Sequence, residues 1–167
     1  MASAAEVISY SGHQTSRIVG ISYRQLDYWA RTDLIRPSIA DAHGSGSQRL
    51  YSYADLVKLK LIKRMIDSGL SLQGVRGALD SLGRIDDESF DENQIVLIGN
   101  SKSVFARDGD DLVDLLKGNQ MVFGMLLSLG DLQQELQAEI VSIANDLAKS
   151  DEQDLSPVKQ LPHKQAR

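Results

Sequence analysis

A glycine between two short amphipathic segments is the feature that most constrains the fold of this chain. In the run HQTSRIVGISYRQLDYWARTDLI, Gly20 separates a short helix that Thr15 or Ser16 can cap from a second helix, residues 23–32, that Ser22 can cap. Glycine suits the left-handed residue of a tight turn because it has no Cβ. Helix, glycine turn and helix predict a helix-turn-helix unit, a pattern that many plain helical hairpins share.

The segment that follows has no helical periodicity and contains the motif GSGS at residues 44–47. Short extended pieces at 36–39 and 48–51 flank this motif and predict a β-hairpin with a flexible tip. A hairpin directly after a helix-turn-helix is typical of a wing, whose tip follows a DNA backbone. Since arginine offers a planar fork of donors to phosphate, we expect Arg49 and the Tyr51 hydroxyl to contact phosphate.

Two more helices are predicted, over residues 53–68 and 72–82. The first has apolar residues on one face and four cations on its other faces: Lys58, Lys60, Lys63 and Arg64.

These residues resemble the MerR family of bacterial transcription regulators. Four linked pieces, QLDYWARTDLIRP, SQRLYS, ADLVKLKLI and GLSLQGV, match the family's recognition helix, wing, next helix and following turn in order and spacing. The resemblance covers about residues 13–82. Within it, YRQLDYWART followed by GSGSQRLYS is similar to the actinobacterial FtsR-type branch of cell-division regulators.

The resemblance implies that the second helix enters the major groove of DNA and that the wing lies beside it. The DNA-binding residues that it implies are Arg17, Ser22, Tyr23, Arg24, Tyr28, Arg31, Arg49, Tyr51, Lys60, Lys63 and Arg64.

Several residues of this region also have purely structural interpretations. Trp29 is expected in the core, Tyr28 fits packing or phosphate contact equally well, and Lys58 and Lys60 fit a solvated helix face. Asp27 stands where the family usually has a basic residue. Because phosphate repels a carboxylate, we expect Asp27 to pair with a neighbouring arginine or to turn away from the groove.

Charge is divided unevenly along the chain. Residues 1–83 carry 10 Lys+Arg and 7 Asp+Glu, whereas residues 84–167 carry 8 and 16, for a net charge of −5. A basic half joined to an acidic half suggests two units with different partners. The acidic total argues little against DNA binding, since only the charges that face phosphate matter.

The second half predicts a small α/β unit after an acidic linker. Strands are expected at 94–99 and 103–107 and a short helix at 110–116, while the apolar run 120–129 fits a strand or a buried helix.

The last predicted helix, residues 131–149, has an apolar stripe that fits either a dimer seam or packing on its own sheet. The stripe consists of Leu132, Leu136, Ile140, Ile143 and Leu147. MerR-type proteins dimerise through a long helix directly after the DNA-binding part, but here an acidic linker takes that place. We therefore expect the dimer contact in the small unit or in this helix.

The expected fold is mostly α, with a winged helix-turn-helix of MerR type and a small C-terminal α/β unit that ends in a helix. The expected parts are a flexible leader at 1–12, the winged domain at 13–83, the linker at 84–94, a dimerisation or effector-like domain at 95–149 and a disordered tail at 150–167.

No apolar run approaches the roughly 20 residues that span a bilayer, and the N-terminus lacks a signal-peptide pattern. The expected location is the cytoplasm, on the nucleoid.

Nothing in the residues points to a cofactor, a metal site or a small-molecule ligand. The chain has no cysteines, and His13, His43 and His163 lie in the leader, a loop and the tail. A Ser/His/Asp set at usable spacing and a GxxxxGK[ST] loop are both missing, which disfavours an enzyme.

The function that the resemblance implies is a homodimeric regulator that binds an inverted repeat and distorts promoter DNA for RNA polymerase, with cell-division genes as targets. The alternative is a winged-helix protein-interaction adaptor without DNA binding, because a winged helix can bind protein and the second half is acidic. Salt-dependent DNA binding separates the two.

Overall fold

The computed structural model describes residues 8–82, 95–99, 104–107 and 123–153. These residues form five helices, a two-stranded sheet and a three-stranded sheet, so the expected mostly helical fold class is confirmed. The predicted linker at 84–94, the helix at 110–116 and the tail beyond 153 lie outside the described residues.

The predicted helix-turn-helix is present. Helix α1, Gly12–Val19, ends at Gly20, whose φ of +80° lies in the left-handed region that favours glycine. Helix α2, Tyr23–Arg31, begins after Ser22, whose hydroxyl accepts the backbone N–H of Gln25.

The start of α1 differs from the prediction. Ser11 caps the helix, not Thr15 or Ser16, so α1 begins a turn earlier than expected. The Ser11 hydroxyl accepts the Gln14 N–H at 3.3 Å, and the Gln14 side chain accepts the Ser11 N–H at 2.9 Å. This reciprocal pair satisfies two backbone donors, whereas Thr15 and Ser16 are buried inside the helix.

The wing has a neighbour that the sequence did not reveal. Strand β1, Tyr10–Ser11, pairs antiparallel with strand β2, Leu50–Tyr51, and Ala40 bridges Leu50 from the other limb of the wing. Residues 10 and 11, expected in a flexible leader, therefore support the wing. A two-residue strand is too short to show a periodic pattern.

Helices α3, Tyr53–Asp67, and α4, Leu72–Leu82, follow as predicted. Ser52 caps α3, and the Asp55 carboxylate accepts the Ser52 N–H at 2.9 Å. The same carboxylate accepts the Ser38 N–H at 2.8 Å, which ties the first limb of the wing to the start of α3.

The second half contains an antiparallel sheet followed by a long helix. Strands β3, Ile95–Gly99, β4, Val104–Arg107, and β5, Phe123–Ser128, lie in the order β4-β3-β5. Within the described residues, the ambiguous apolar run is thus a strand over Phe123–Ser128. Helix α5, Leu129–Gln153, starts directly after it and extends past both predicted ends, so residues 150–153 are helical and not part of a disordered tail.

Helix α5 packs on the winged domain. Its Leu129, Leu132, Leu136 and Ile143 are buried in the same hydrophobic cluster as residues of α1 and α3. The apolar stripe therefore packs mainly on the helices of the first half.

None of the helices in the described ranges is long and apolar enough to cross a membrane.

If α5 belongs to this shared core, removing Leu136 should destabilise the winged domain. Leu136 is fully buried, so Leu136→Ala is expected to lower the free energy of unfolding by about 2–5 kcal/mol. Urea unfolding followed by the fluorescence of Trp29, which lies in the first half, measures the effect. The control is Gln137→Ala, an exposed neighbour, and an equal midpoint for both variants would contradict the shared core.

Candidate nucleic-acid interface

The exposed face of α2 combines aromatic and cationic side chains. It consists of Tyr23, Arg24, Tyr28 and Arg31. The two tyrosines are each 47% exposed, so Tyr28 faces solvent and is not packed inside. Trp29 is buried on the opposite face, as predicted.

Tyr23 is held at the start of α2 by contacts with α1. Its ring stacks on His13 with centroids 4.4 Å apart and an interplanar angle of 16°. A Cβ on Gly12 would lie 2.9 Å from Tyr23 Cε2, so the ring depends on a glycine at that position. Ser22 acts as the helix cap, which is a structural role.

A polar cleft of about 290 Å³ opens between the wing and the starts of α1 and α2. Its lining provides hydroxyl, imidazole, amide and guanidinium groups: Ser11, Gly12, His13, Tyr23, Ala42, Ser47, Gln48 and Arg49. These groups can donate hydrogen bonds to an anionic or polar ligand.

Arg49 connects the wing to α2 through two carboxylates. Its Nη1 donates to Asp27 Oδ1 at 2.7 Å, and its Nε donates to Asp41 Oδ1 at 3.2 Å. Arg31 Nε lies 2.9 Å from the other oxygen of Asp27. The expectation that Asp27 pairs with a neighbouring arginine is confirmed. We call Arg49, Asp27 and Asp41 the wing clamp.

The wing clamp stabilises the charged forms of both carboxylates. The hydrogen bond from Arg49 is the main reason that the pKa of Asp27 lies below its ordinary value of 3.8. For Asp41, the backbone N–H of Ala42 is the main cause of a lowered pKa, and Arg49 adds to it. Both side chains are therefore anions at neutral pH.

Tyr51 does not occupy the position expected of a phosphate contact. Its side chain is fully buried, and its hydroxyl has no hydrogen-bond partner among the described residues. Burial raises the pKa of Tyr51 to about 12. Successive strand residues point to opposite sides, and Tyr51 points into the core while Leu50 is half-buried. The prediction of a phosphate contact through this hydroxyl is wrong for this structure.

Three of the cations that were expected to contact DNA lie against helix α5 instead. Arg17 Nη2 lies 3.1 Å from Asp146, and Lys60 Nζ lies 3.5 Å from Glu135, which also accepts a hydrogen bond from Arg64. The side chain of Lys60 is only 13% exposed. These contacts follow from the docking of α5, which the sequence did not predict.

The remaining two cations differ in their surroundings. Lys63 pairs with Asp67 one turn along α3, whereas no described residue accepts a hydrogen bond from exposed Arg24. Arg24 therefore has its guanidinium available at the start of α2.

Sequence reasoning missed Asp41 and Arg76. Arg76 on α4 donates to the Thr32 carbonyl at 2.7 Å and to the Asp33 carbonyl at 3.4 Å, where it satisfies the end of α2. These partners lie 44 and 43 residues away in the chain, so no local pattern could reveal them. Asp41 was visible only as a carboxylate near the basic wing.

The described residues contain no group of three or more His, Asp or Glu side chains that could hold a metal ion.

A family model matches the first half of the chain, and curated relatives match nearly its whole length. The model of the family described as MerR HTH family regulatory protein matches residues 10–82. Relatives named as uncharacterized HTH-type transcriptional regulators occur in Mycobacterium bovis and in two strains of Mycobacterium tuberculosis. Each is 41% identical over 157 residues, which covers 93% of this chain and 68% of the relative. These matches point to a family of regulators and not of enzymes.

Two solved structures are also similar. One is a MerR family transcriptional regulator from Bacillus cereus, 20% identical over 91% of this chain and 88% of that chain. The other is HiNmlR, a MerR family regulator lacking the sensor domain, bound to promoter DNA, 13% identical over 84% of this chain and 80% of that chain. Both TM-scores are 0.40, too low to superpose the interface residue by residue.

Acid should weaken the wing clamp. Since the pKa of Asp27 and of Asp41 is lower in the folded chain than the ordinary 3.8, their stabilisation is present above about pH 4 and is lost as the pH falls through the folded-state values. As the pH falls, we expect the free energy of unfolding to decrease less in Asp27→Asn than in the wild type. Urea midpoints between about pH 6 and about pH 2.5 measure it.

Arg49→Gln removes the donor and should flatten the acid dependence in the same way. Equal slopes for the wild type and both variants would show that the wing clamp contributes nothing to stability.

Proposed function

Because the chain belongs to the MerR family of helix-turn-helix regulatory proteins, we propose that it is a sequence-specific DNA-binding transcriptional regulator. Helix α2 is the recognition helix, and its exposed face lies in the major groove. The observation that carries the proposal is the division of α2 into a buried apolar face and an exposed face of two tyrosines and two arginines. A helix fits the width of the major groove, and arginine is the commonest reader of guanine edges.

Some of the proposed contacts read the base sequence, and others position the protein on the DNA backbone. Arg24, without an acceptor among the described residues, reads a base edge or binds a phosphate at the start of the helix. Tyr23 and Tyr28 present hydroxyls to the backbone on either side of the groove. The side chain of Arg31 is 64% exposed beside Asp27 and reaches phosphate from there. Arg17, Lys60, Lys63 and Arg64 act less strongly, since acidic side chains compete for them.

The regulator acts as a homodimer on an inverted repeat. Support comes from apolar side chains that remain exposed in the last half of α5, although Ile143 of the same segment is buried against the winged domain. Val141 and Leu147 are 57% and 50% exposed there, and with Ala144 and Ala148 they form an apolar face at helical spacing. A second copy that covers this face places two recognition helices on two half-sites.

The dimer controls transcription by distorting promoter DNA so that RNA polymerase engages it differently. Bending DNA by tens of degrees costs on the order of 1–6 kcal/mol, which contacts of two wings and two helices offset. The same distortion activates a badly spaced promoter and blocks a well-spaced one. Cell-division genes are the proposed targets, and the similarity of the α2 and wing residues to the FtsR-type branch supports this choice. The protein then resides in the cytoplasm, on the nucleoid.

Removing the Arg24 guanidinium should weaken binding to the operator. We expect Arg24→Ala to lose about 1–3 kcal/mol of binding free energy, or to lower the slope of log K against log salt by about 0.9 when the contact is a phosphate. The operator comes from promoter fragments of the source genome that the full chain retains at low salt. Fluorescence anisotropy at several salt concentrations then measures the affinity.

Lys149→Ala is the control, because it removes the same charge from an exposed position of α5. Retention of no fragment at low salt would contradict the proposal and favour the protein-interaction adaptor. Equal losses for both variants would contradict the assignment of α2 as the reading element.

A charge in the exposed apolar face of α5 should break the dimer. Ala144→Glu places an unpaired carboxylate at the centre of this face, so we expect the dimer to dissociate roughly tenfold more readily, or more. Sedimentation equilibrium of the full chain measures the dissociation constant. Ser142→Glu adds the same charge on another side of the helix and should leave the dimer intact. A monomeric wild type, or equal effects, would refute this seam.

A further inference from the structure

One arginine joins the wing to α2 by facing carboxylates from two different elements. Arg49 Nη1 is 2.7 Å from Asp27 on α2, and Arg49 Nε is 3.2 Å from Asp41 on the opposite limb of the wing. The side chains of the wing clamp are only 17% to 30% exposed. Such shielding strengthens charge pairing beyond that of an open surface ion pair.

We propose that Arg49 is a positioning residue with Asp27 as its required counter-ion, and that the wing clamp sets the angle between the wing and the recognition helix. The inference rests on the proposed function and deepens it. The wing clamp then sets the distance between the contact that α2 makes in the major groove and the contact that the wing makes with DNA. It thereby contributes to the selectivity for the operator.

The geometry disfavours a primary role of Arg49 as a phosphate ligand. Two edges of its guanidinium already point to carboxylates inside the protein. Moving Arg49 to a phosphate would leave Asp27 and Asp41 partly buried with one cation fewer. An anion that loses a partner in a shielded place is costly, and it would then face the DNA.

The wing needs such a fixed point because its own backbone supplies little. Among the described residues, the backbone hydrogen bonds between its limbs link only Ile39 and Ala40 with Leu50. At the tip, Gly44 and Gly46 have φ of +83° and +95°, and nothing lies within 4 Å of where a Cβ would stand, so these residues make no packing contact that could orient the wing.

The two roles of Arg49 predict opposite signs for one substitution. If Arg49 binds phosphate, Asp27 competes with DNA, and Asp27→Asn should tighten binding by removing an anion. If the wing clamp positions the wing, the same substitution should weaken operator binding although it makes the protein less negative.

The test uses the full chain, its recovered operator and a scrambled duplex of equal length, with anisotropy at several salt concentrations. Asp27→Asn, Asp41→Asn and Arg49→Gln should each weaken operator binding about tenfold, within the range of couplings in one ion-pair network. Binding to the scrambled duplex and the salt slope should stay unchanged. Combining Asp27→Asn with Arg49→Gln should cost no more than either alone. Unchanged or tighter binding by Asp27→Asn, or a slope lowered by about 0.9 in Arg49→Gln, would overturn the proposal.

A second measurement needs no DNA. In free protein, Asp27→Asn should speed hydrogen exchange of the Ala40 and Leu50 amides, which bond the two limbs, and leave the amides of α3 protected. Equal exchange in the wild type and the variant overturns the proposal, as does equal acceleration in α3. A wild type that binds no DNA refutes the proposed function, and the exchange rates still decide whether the wing clamp holds the wing.

Discussion

The wing has very few backbone hydrogen bonds of its own, and the rest of the interface depends on how side chains make up for this shortage. Among the described residues, three backbone hydrogen bonds cross between its limbs, at Ile39, Ala40 and Leu50. A short strand pair with β1 adds support on the outer side. Tyr51 inserts its ring into the core, and Arg49 joins both limbs to α2. The two elements proposed to face DNA are therefore coupled by side-chain contacts.

Part of the uneven charge of the chain is neutralised by ion pairs between its acidic and basic halves. Acidic residues of α5 meet basic residues of α1 and α3, with Glu135 beside Lys60 and Arg64, and Asp146 beside Arg17. This pairing accompanies the burial of the apolar stripe of α5 and orients the helix on the winged domain. Among the described residues, Arg24 of α2 is left without an acidic partner. A chain with a net charge of −5 can thus offer a basic face to DNA.

Local signals explain why much of the fold was predictable from sequence. Gly20, Ser22 and Ser52 mark turns and caps whose effect is confined to a few residues, and the helices begin or end where these residues predict. The arginine partners of Asp27 were also predicted correctly, because a carboxylate at a position expected to face DNA needs a cation nearby.

The parts that sequence did not predict depend on contacts between distant residues. The pairing of Tyr10 with Tyr51 leaves no periodic trace in either segment, and the apolar stripe that includes Leu136 does not show which surface covers it. Arg49 shows the same limit. Its position in a wing motif favours phosphate, but Asp41 and Asp27 are brought to it only by the folded chain. Tyr51 was assigned to the surface because strand register is not visible in two residues.

The most direct test of this account is to follow the Arg49 side chain by nitrogen-15 NMR in the free protein and in the operator complex. Arg49 Nε–H, which donates to the Asp41 carboxylate, should keep its chemical shift and its slow hydrogen exchange when the operator binds, while the Arg24 signal should move. A large shift of the Arg49 signal with loss of its hydrogen bonds to Asp27 and Asp41, and contacts to DNA phosphate in their place, would contradict it.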